Sequence, residues 1–330
     1  MTSMEECDRS LLRQLNIAVV ILNYDSFADL VMSAQQFYAQ CGVMLSVIVV
    51  DNASPHDSIE QVKQWLLEWR PNSIIGSREC VAKWIDDQAS PSDLWGRVYL
   101  IQNTENRGFS VGNNVGIRLA ERMGADGVVI ANPDVRIDDD HYLAKLSQAL
   151  FSSTINVVAA SRILGLDGKD QNPLREPTFW EEVLWFRCYL PFVQKYPWYV
   201  VPVSGENPLS VQKVSGCCLM MRMSFIREIG YLDENVFMYC EEPILAAQVR
   251  KSETRIIYLP NLTAIHAHVV DKRGSSAVKM RWFLKSRLYY IETYSGYNAI
   301  QRKLLHLSYS LVHLKCRAWS AKWIFHRRVT

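Results

Sequence analysis

Short apolar runs rich in β-branched residues alternate with helix-like stretches through the first half of the chain, and this alternation limits its fold more than any other feature. The apolar runs lie at residues 16–22, 45–50, 97–102 and 127–131. The helix-like stretches lie at about residues 27–40, 59–69 and 109–123. Strands that are apolar at nearly every position are buried on both faces, which is typical of parallel sheets built from βαβ units. We therefore predict an α/β fold in which helices flank a mostly parallel sheet.

Two segments depart from this alternation. Residues 71–96 are mixed polar and contain two prolines and two glycines, so we interpret them as an insertion at the surface. Residues 164–212 are rich in proline and glycine and include a dense aromatic stretch at residues 180–199. We expect residues 1–270 to form one domain despite these two segments.

The last sixty residues differ in charge from the rest of the chain. The net charge of the 330 residues is only +2, but residues 271–330 hold thirteen Lys/Arg against two acidic residues. The other 270 residues hold 23 Lys/Arg against 32 acidic residues. This balance argues against nucleic-acid binding by the whole chain. From Met280 the sequence is also aromatic and helical in character, so we predict that residues 271–330 form a basic helical C-terminal extension.

The positions of the cysteines and the lengths of the apolar runs indicate the cellular compartment in which the protein functions. None of the eight cysteines forms a Cys-x-x-Cys pair, and several lie in apolar runs, as expected of buried reduced thiols in a cytoplasmic protein. Residues 1–13 are polar and have no apolar signal region. No run reaches the roughly 18 apolar residues needed to span a bilayer. We expect a cytoplasmic protein.

Polar residues follow three of the apolar runs where each predicted strand ends. They are Asn23-Tyr24-Asp25, Asp51-Asn52-Ala53-Ser54 and Asn132-Pro133-Asp134. A single aspartate after a strand often only caps the next helix. In an open parallel sheet, however, ligands bind at the carboxyl ends of the strands. Three such groups at one edge therefore favour a ligand site.

A segment rich in glycine and asparagine, residues 105–116, follows the third predicted strand. Its glycines, at positions 108, 112 and 116, lack the Gly-x-Gly-x-x-Gly spacing of a dinucleotide site, so nicotinamide binding is poorly supported. Close packing of a helix on the sheet explains Gly116 but not Asn113 and Asn114. A loop that approaches a ligand closely is the alternative.

Two later groups could supply catalytic or metal-binding side chains. Glu241 and Glu242 begin a predicted helix, where adjacent carboxylates either compensate the helix dipole or provide a general base at the edge of a pocket. His266, with His268, follows a predicted strand and is either a structural residue or a metal ligand.

Taken in chain order, these groups resemble the motifs of a known family. The motifs are residues 19–24, 47–54, 106–114, 132–134, 214–222, 230–234, 237–242 and 260–266. Their order and spacing are similar to those of family 2 of the inverting nucleotide-sugar glycosyltransferases, which have the GT-A fold. Within that family the chain looks most like rhamnosyltransferase-like enzymes of bacterial cell-surface polysaccharide synthesis, such as O-antigen synthesis. The resemblance implies transfer of a hexose from a nucleoside-diphosphate sugar to a saccharide or lipid-linked saccharide.

The resemblance also implies site residues. The donor-binding residues it implies are Asn23, Asp51, Arg107, Gly108, Asn113, Asn132 and Asp134. Asp134 matches the second acid of the family's Asp-x-Asp motif and, with His266 nearby, would hold Mg²⁺ or Mn²⁺ against the diphosphate. Glu242 aligns with the catalytic base, and Glu241 is the alternative. The usual Glu-Asp-x-Asp-Leu motif is incomplete here, and Gln248 stands where an arginine is usual.

Alternatives remain for the extension and for the function. The aromatic stretch and the basic extension suit an acceptor on a membrane lipid and an anionic surface at the inner face of the cell membrane. The other interpretation is a helix pair that packs on the catalytic domain. A sugar nucleotidyltransferase is a rival, although residues 23–30 hold no Gly, Lys or Arg. A non-catalytic pseudo-transferase that binds saccharide or a partner is the second rival.

Overall fold

A computed structural model describes residues 14–185, 200–268 and 276–326, with the side chains of the last helix described as far as Val312. Within these residues the fold is built on one sheet of ten strands. The strands are β1 (Asn16–Asn23), β2 (Met44–Asp51), β3 (Ile74–Ser77), β4 (Val98–Gln102), β5 (Gly127–Ala131), β6 (Val135–Arg136), β7 (Asn156–Gly165), β8 (Leu209–Val211), β9 (Cys218–Arg222) and β10 (Arg255–His266). The helices are α1 (Phe27–Tyr38), α2 (His56–Trp69), α3 (Arg78–Asp86), α4 (Phe109–Arg122), α5 (Tyr142–Phe151), α6 (Phe179–Val183), α7 (Met223–Glu228), α8 (Glu241–Lys251), α9 (Ser276–Thr293) and α10 (Ala299–His326).

The strands follow the order β3-β4-β2-β1-β5-β9-β7-β10-β6, and β8 pairs with β10. Strands β3, β4, β2, β1 and β5 are parallel neighbours, and β7 and β10 are also parallel. Strand β9 runs antiparallel between β5 and β7. The prediction of a mostly parallel sheet flanked by helices and followed by a helical extension is confirmed.

The sheet is buried on both faces because its strands carry apolar side chains at successive positions. Along β1, Ile17, Val19 and Ile21 join the core beneath α1, α2 and α5. The alternate residues Ala18 and Val20 join a second core with α3, α4 and α7. Side chains alternate between the faces of a strand, so a continuous apolar run supplies both cores.

The alternation of strands and helices continues through residues 71–96, where the sequence suggested an interrupting insertion. Residues 74–77 form β3, which pairs with β4 in parallel at the edge of the sheet. The following helix, α3, buries Val81 and Ile85 against the sheet. This βα unit was hard to recognise because its strand has only four residues and is only half buried.

The helical extension packs on the sheet domain through a third apolar cluster. Leu284 and Tyr290 of α9 and Leu305 of α10 are buried there with Cys240 and Ile244 of the α8 region. Within the described residues, no helix combines the length and apolar character needed to cross a membrane. Most of the aromatic stretch, residues 186–199, lies outside the described residues.

Candidate active site

The carboxyl ends of β1 and β2 bring Asn23 and Asp51 side by side. The parallel register pairs the two residues, and Nδ2 of Asn23 donates to Oδ1 of Asp51 at 3.0 Å. The amide of Ser54 donates to Oδ2 of Asp51 at 3.0 Å. Both side chains are buried, and Oδ1 of Asn23 has no hydrogen-bond partner among the described residues. The pair therefore keeps one acceptor for a ligand.

Gly108 lets the loop before α4 lie directly against the segment that precedes α8. Its φ is +97°, a left-handed conformation that favours glycine, and a Cβ at this position would lie 2.1 Å from the carbonyl oxygen of Phe237. Asn52 fastens the same loop to the end of β2, because its Nδ2 donates to Oδ1 of Asn106 at 2.9 Å. Gly108 is thus required for the close contact of this loop with Phe237.

The two asparagines of α4 have different surroundings. Asn114 is a packing residue, since it accepts from the amide of Leu232 at 3.1 Å and donates to the Leu232 carbonyl at 2.8 Å. Asn113 is fully buried and donates to the Phe109 carbonyl at 3.0 Å, but its Oδ1 has no partner among the described residues. Arg107 is exposed, and its guanidinium lies 3.6 Å from Glu105. Of the residues of this segment that were predicted to bind the sugar donor, Asn113 keeps an unpaired acceptor oxygen and Arg107 keeps an exposed guanidinium. Both groups can face a ligand.

Asp134, His266 and His268 converge at the other end of this sheet edge. Strand β6 follows Asp134 directly and pairs antiparallel with the end of β10, in a register that sets His266 opposite Val135. Oδ1 of Asp134 lies 3.3 Å from Nε2 of His266, and its Oδ2 lies 3.2 Å from Nδ1 of His268. The three potential ligand atoms all lie within 4.8 Å of one another. One carboxylate and two imidazoles at this spacing form a candidate metal centre.

The hydrogen bonding of His266 supports a cation at this centre. Nδ1 of His266 lies 2.8 Å from Oε1 of Gln171. An amide oxygen only accepts, so Nδ1 carries the proton and the lone pair of Nε2 points toward Asp134. Nε2 and Oδ1 of Asp134 are both buried without a hydrogen-bond partner among the described residues. Two facing lone pairs repel unless a proton or a metal cation lies between them, so these residues fit a bound metal.

The charge state of Asp134 agrees with a metal-binding role. Burial acts to raise the pKa of Asp134, but in the metal-free protein protons on the two neighbouring imidazoles, through hydrogen bonds and charge, outweigh it and hold that pKa below the usual aspartate value. The carboxyl is therefore ionised at neutral pH, as a ligand for a divalent cation must be.

Glu241 and Glu242 begin α8 but point into different surroundings. Oε1 of Glu242 accepts from the amide of Gly216 at 3.3 Å. Glu241 lines a small cavity beside Ser110 and Asp233, and its Oε1 is buried without a partner among the described residues. Burial, with the nearby charge of Glu242, raises the pKa of Glu241 to about 8. Glu241 is therefore mainly protonated at neutral pH.

A two-residue turn before β9 connects Glu242 to the candidate metal centre. Gly216 donates to Glu242, and the next residue, Cys217, accepts from the amide of Asn132 at 2.8 Å through its carbonyl. Asn132 begins the turn that carries Asp134. The candidate base and the candidate metal ligand are thus fixed to opposite sides of the same short turn.

The structure adds two residues to the site, His268, which the sequence analysis named only beside His266, and Gln171, which it did not name. His268 had a recoverable signal, because it is two residues from His266 and alternate residues of an extended chain share a face. Gln171, which orients His266, lies 95 positions away in the chain and had no such signal.

No protein-family profile matches the chain. Related sequences and solved structures do match it. The chain is 25% identical over 260 residues to the low-salt glycan biosynthesis hexosyltransferase Agl10 of Haloferax volcanii, covering 78% of this chain and 69% of that protein. It is 35% identical over 78 residues to the rhamnosyltransferase WbbL of Escherichia coli, covering 23% of this chain and 29% of that protein.

A solved structure with a similar fold is the mannosyltransferase PcManGT from Pyrobaculum calidifontis in complex with GDP-Man and Mn²⁺. It matches with a TM-score of 0.55 at 16% sequence identity, covering 91% of this chain and 70% of that chain. The fold of the present chain is therefore the GT-A fold of glycosyltransferases. With two relatives named for sugar transfer, the chain is a glycosyltransferase enzyme.

Proposed function

We propose that this enzyme transfers a hexose or deoxyhexose, such as rhamnose, with inversion from a nucleoside-diphosphate sugar to a saccharide or lipid-linked saccharide acceptor in cell-surface polysaccharide synthesis. The observation that carries the proposal is the convergence of Asp134, His266 and His268 around two facing, unpartnered ligand atoms. The names of the two relatives support hexosyl and rhamnosyl transfer. The bound GDP-Man and Mn²⁺ of the mannosyltransferase support a nucleotide sugar and a metal.

The donor nucleotide would bind along the carboxyl ends of β1, β2 and β4. Asp51 and Asn23 would hold the base or ribose, supported by their burial and by the free acceptor of Asn23. Asn113 and the backbone at Gly108 would line the next part of the pocket, and the exposed guanidinium of Arg107 would reach the negatively charged diphosphate.

Asp134, His266 and His268 would hold the divalent cation, Mn²⁺ or Mg²⁺, beside the diphosphate, with Asn132 fixing the turn that carries Asp134. When bound, such a cation supplies positive charge to the departing nucleoside diphosphate. The protein's part is to present the Asp134 carboxylate and, through the contact with Gln171, to orient the His266 ring so that Nε2 faces it. The mixed carboxylate and imidazole ligands suit Mn²⁺ better than Mg²⁺, which prefers oxygen ligands.

Glu242 would be the general base that takes the proton from the acceptor hydroxyl. That hydroxyl oxygen attacks the anomeric carbon on the face opposite the diphosphate, so the configuration inverts. The Gly216 amide donates to one oxygen of Glu242 and so holds that carboxyl beside the turn before β9. Glu241 is the weaker candidate, because its raised pKa keeps it protonated at neutral pH.

The two parts of the chain would have different roles. Residues 1–270 would form the catalytic domain, with the segment 164–212 on the acceptor side, and residues 271–330 would hold α8 in place. Leu284 and Tyr290 are buried in the same apolar cluster as Ile244 of α8, which supports this role for the extension. The described cysteines are free thiols, which supports a cytoplasmic setting.

The test is donor binding and donor hydrolysis by the full chain. A panel of UDP-, GDP- and dTDP-sugars is screened by thermal shift with Mn²⁺ and with a chelator, and the best donor is then used in hydrolysis and transfer assays. We expect one donor to raise the melting temperature only when Mn²⁺ is present. The anomeric configuration of the product, read by NMR, tests inversion.

Two variants make this test specific. Asp134→Ala should lose both the metal-dependent thermal shift and hydrolysis, whereas Asp167→Ala, which removes an exposed aspartate paired with Lys169, should keep them. Unchanged metal-dependent hydrolysis in Asp134→Ala would exclude the assigned metal centre.

A further inference from the structure

Helix α10 presents a row of aliphatic side chains to solvent. Ile300, Leu304, Leu307 and Leu311 are 73%, 40%, 61% and 47% exposed, respectively. Their spacing of four, three and four residues places them on one face of a helix with 3.6 residues per turn. Exposed leucines are common one at a time, but four on one helical face are typical of an interaction surface. We call these four residues the α10 stripe.

The stripe is separate from the face of α10 that packs on the protein. Leu305, Tyr309 and Val312 are buried in the third apolar cluster. Ser308 is also buried, and its hydroxyl donates to the Val183 carbonyl at the end of α6 at 2.7 Å. These contacts fix the rotation of α10, so the stripe cannot turn inward without breaking a packed core.

The charge of α10 selects among the partners that the stripe could bind. Residues 299–326 contain five Lys/Arg and no Asp or Glu, and residues 271–330 as a whole carry a net charge of +11. Two copies of this helix packed together would bring like charges close to each other. An anionic lipid surface offers the opposite charge together with an apolar layer beneath it.

A large exposed aromatic residue lies on the helix that packs against α10. Trp180 of α6 is 64% exposed, and tryptophan is enriched where proteins meet the boundary between lipid headgroups and acyl chains. Phe179, its neighbour, packs edge-on against Tyr297 just before α10, with ring centroids 5.4 Å apart.

We propose that α10 lies along an anionic membrane surface, with Ile300, Leu304, Leu307 and Leu311 inserted among the lipid headgroups and exposed basic residues of the extension, such as Lys303, held at the phosphates. The inference does not depend on the identity of the transferred sugar. It gives a lipid-linked acceptor a place near the enzyme, and its test needs neither donor nor acceptor.

The experiment is flotation of the full chain with vesicles of phosphatidylcholine alone and with vesicles that also contain phosphatidylglycerol. We expect binding only to the anionic vesicles, with release as salt rises from about 0.05 M to about 0.5 M, because added salt screens exposed charges. Leu304→Gln with Leu307→Gln should lower the vesicle partition coefficient by about tenfold or more, since each change removes apolar surface from the lipid contact.

The control is a double variant of similar chemistry on another surface. Met32 and Leu67 are 50% and 51% exposed on α1 and α2, and replacing both by Gln should leave vesicle binding unchanged. Circular dichroism checks that each variant is folded, and the single variant Leu307→Gln replaces the double one if that unfolds.

Three results would overturn the proposal. The first is failure of the wild-type chain to bind anionic vesicles at low salt. The second is equal vesicle binding by the stripe variant and the wild type. The third is a loss of binding in the Met32/Leu67 control as large as that in the stripe variant. A wild-type dimer in solution that the stripe variant converts to a monomer would also overturn it, because the stripe would then be a self-association surface.

Discussion

Nε of Arg287 on α9 donates to Oε1 of Glu182 on α6 at 2.6 Å, with the two side chains 7% and 2% exposed. The hydroxyl of Tyr309 on α10 donates to the same oxygen at 2.8 Å. Glu176, which is 19% exposed, lies 3.3 Å from Arg287 and 2.7 Å from Lys213, which completes a largely buried group of two acids and two bases. The helical extension is therefore joined to the rest of the described fold by charge as well as by apolar packing.

We predict that Arg287→Leu lowers the free energy of unfolding by about 3–5 kcal/mol, because the change leaves the buried carboxylate of Glu182 without its cationic partner. The matched control is Arg122→Leu, which breaks an exposed pair with Asp86 and should cost less than about 1 kcal/mol. Urea unfolding of both variants measures the difference. Equal losses would mean that the buried group is not important for stability.

Gly108 and Gly124 provide a second matched pair. Both have positive φ, but a Cβ at Gly108 would collide with the Phe237 carbonyl, whereas nothing lies within 4 Å of one at Gly124. Gly124→Ala should cost about 1 kcal/mol from backbone strain alone. Gly108→Ala should cost clearly more and should also weaken donor binding, because the loop must move. Thermal unfolding and donor titration check both effects, and similar behaviour of the two variants would contradict the close approach.

The strand ends could be predicted from the sequence because local patterns determine them. Asn23 and Asp51 follow apolar runs, and parallel pairing places them together. The meeting of Asp134 with His266 was harder to derive from local pattern, since a proline such as Pro260 is unusual inside a paired strand. In the structure β10 continues to His266, with a register shift against β7 between Leu259 and Thr263. Such an irregularity depends on the partner strand, which the local sequence does not contain.

The candidate metal centre gives a prediction for binding that needs no turnover. Gln171→Ala should weaken Mn²⁺ binding by about tenfold to a hundredfold, because losing the partner that orients a ligating histidine typically has that effect. His268→Ala should weaken it at least as much, because it removes a ligand. His306→Ala, which affects only an exposed histidine paired with Glu292, is the control. Calorimetric titration with Mn²⁺ measures all three, and unchanged affinity in His268→Ala would remove that residue from the centre.

Glu241 gives a pH-dependent prediction. Its pKa is raised to about 8 in the folded chain, above its ordinary value of 4.5, so between these values the folded state holds a proton that the unfolded state has released. The stability contributed by this group is therefore complete below about pH 4.5 and falls as pH rises toward 8, by up to about 1.4 kcal/mol per pH unit. Glu241→Gln removes the titration.

We therefore expect Glu241→Gln to be more stable than the wild type at pH 8 and to approach it near pH 5. Urea unfolding of both proteins across this range measures the difference. A difference that stays constant with pH would show that Glu241 does not titrate with a raised pKa.

Glu242 gives the sharpest prediction for catalysis. Glu242→Gln should lower turnover by about 10²–10⁴-fold, the usual contribution of a general base, while donor affinity stays near that of the wild type. Gln keeps the shape of the side chain, and its amide oxygen can still accept from Gly216, so the turn that leads to β9 should be preserved. Glu241→Gln is the matched control, because Gln resembles the protonated carboxyl that Glu241 presents at neutral pH, and its turnover should stay within a few-fold of the wild type. Steady-state turnover with the identified donor and acceptor, together with donor titration, separates the two roles. A large loss in Glu241→Gln with little change in Glu242→Gln would assign the base to Glu241 and leave Glu242 as the residue that fixes the Gly216 turn.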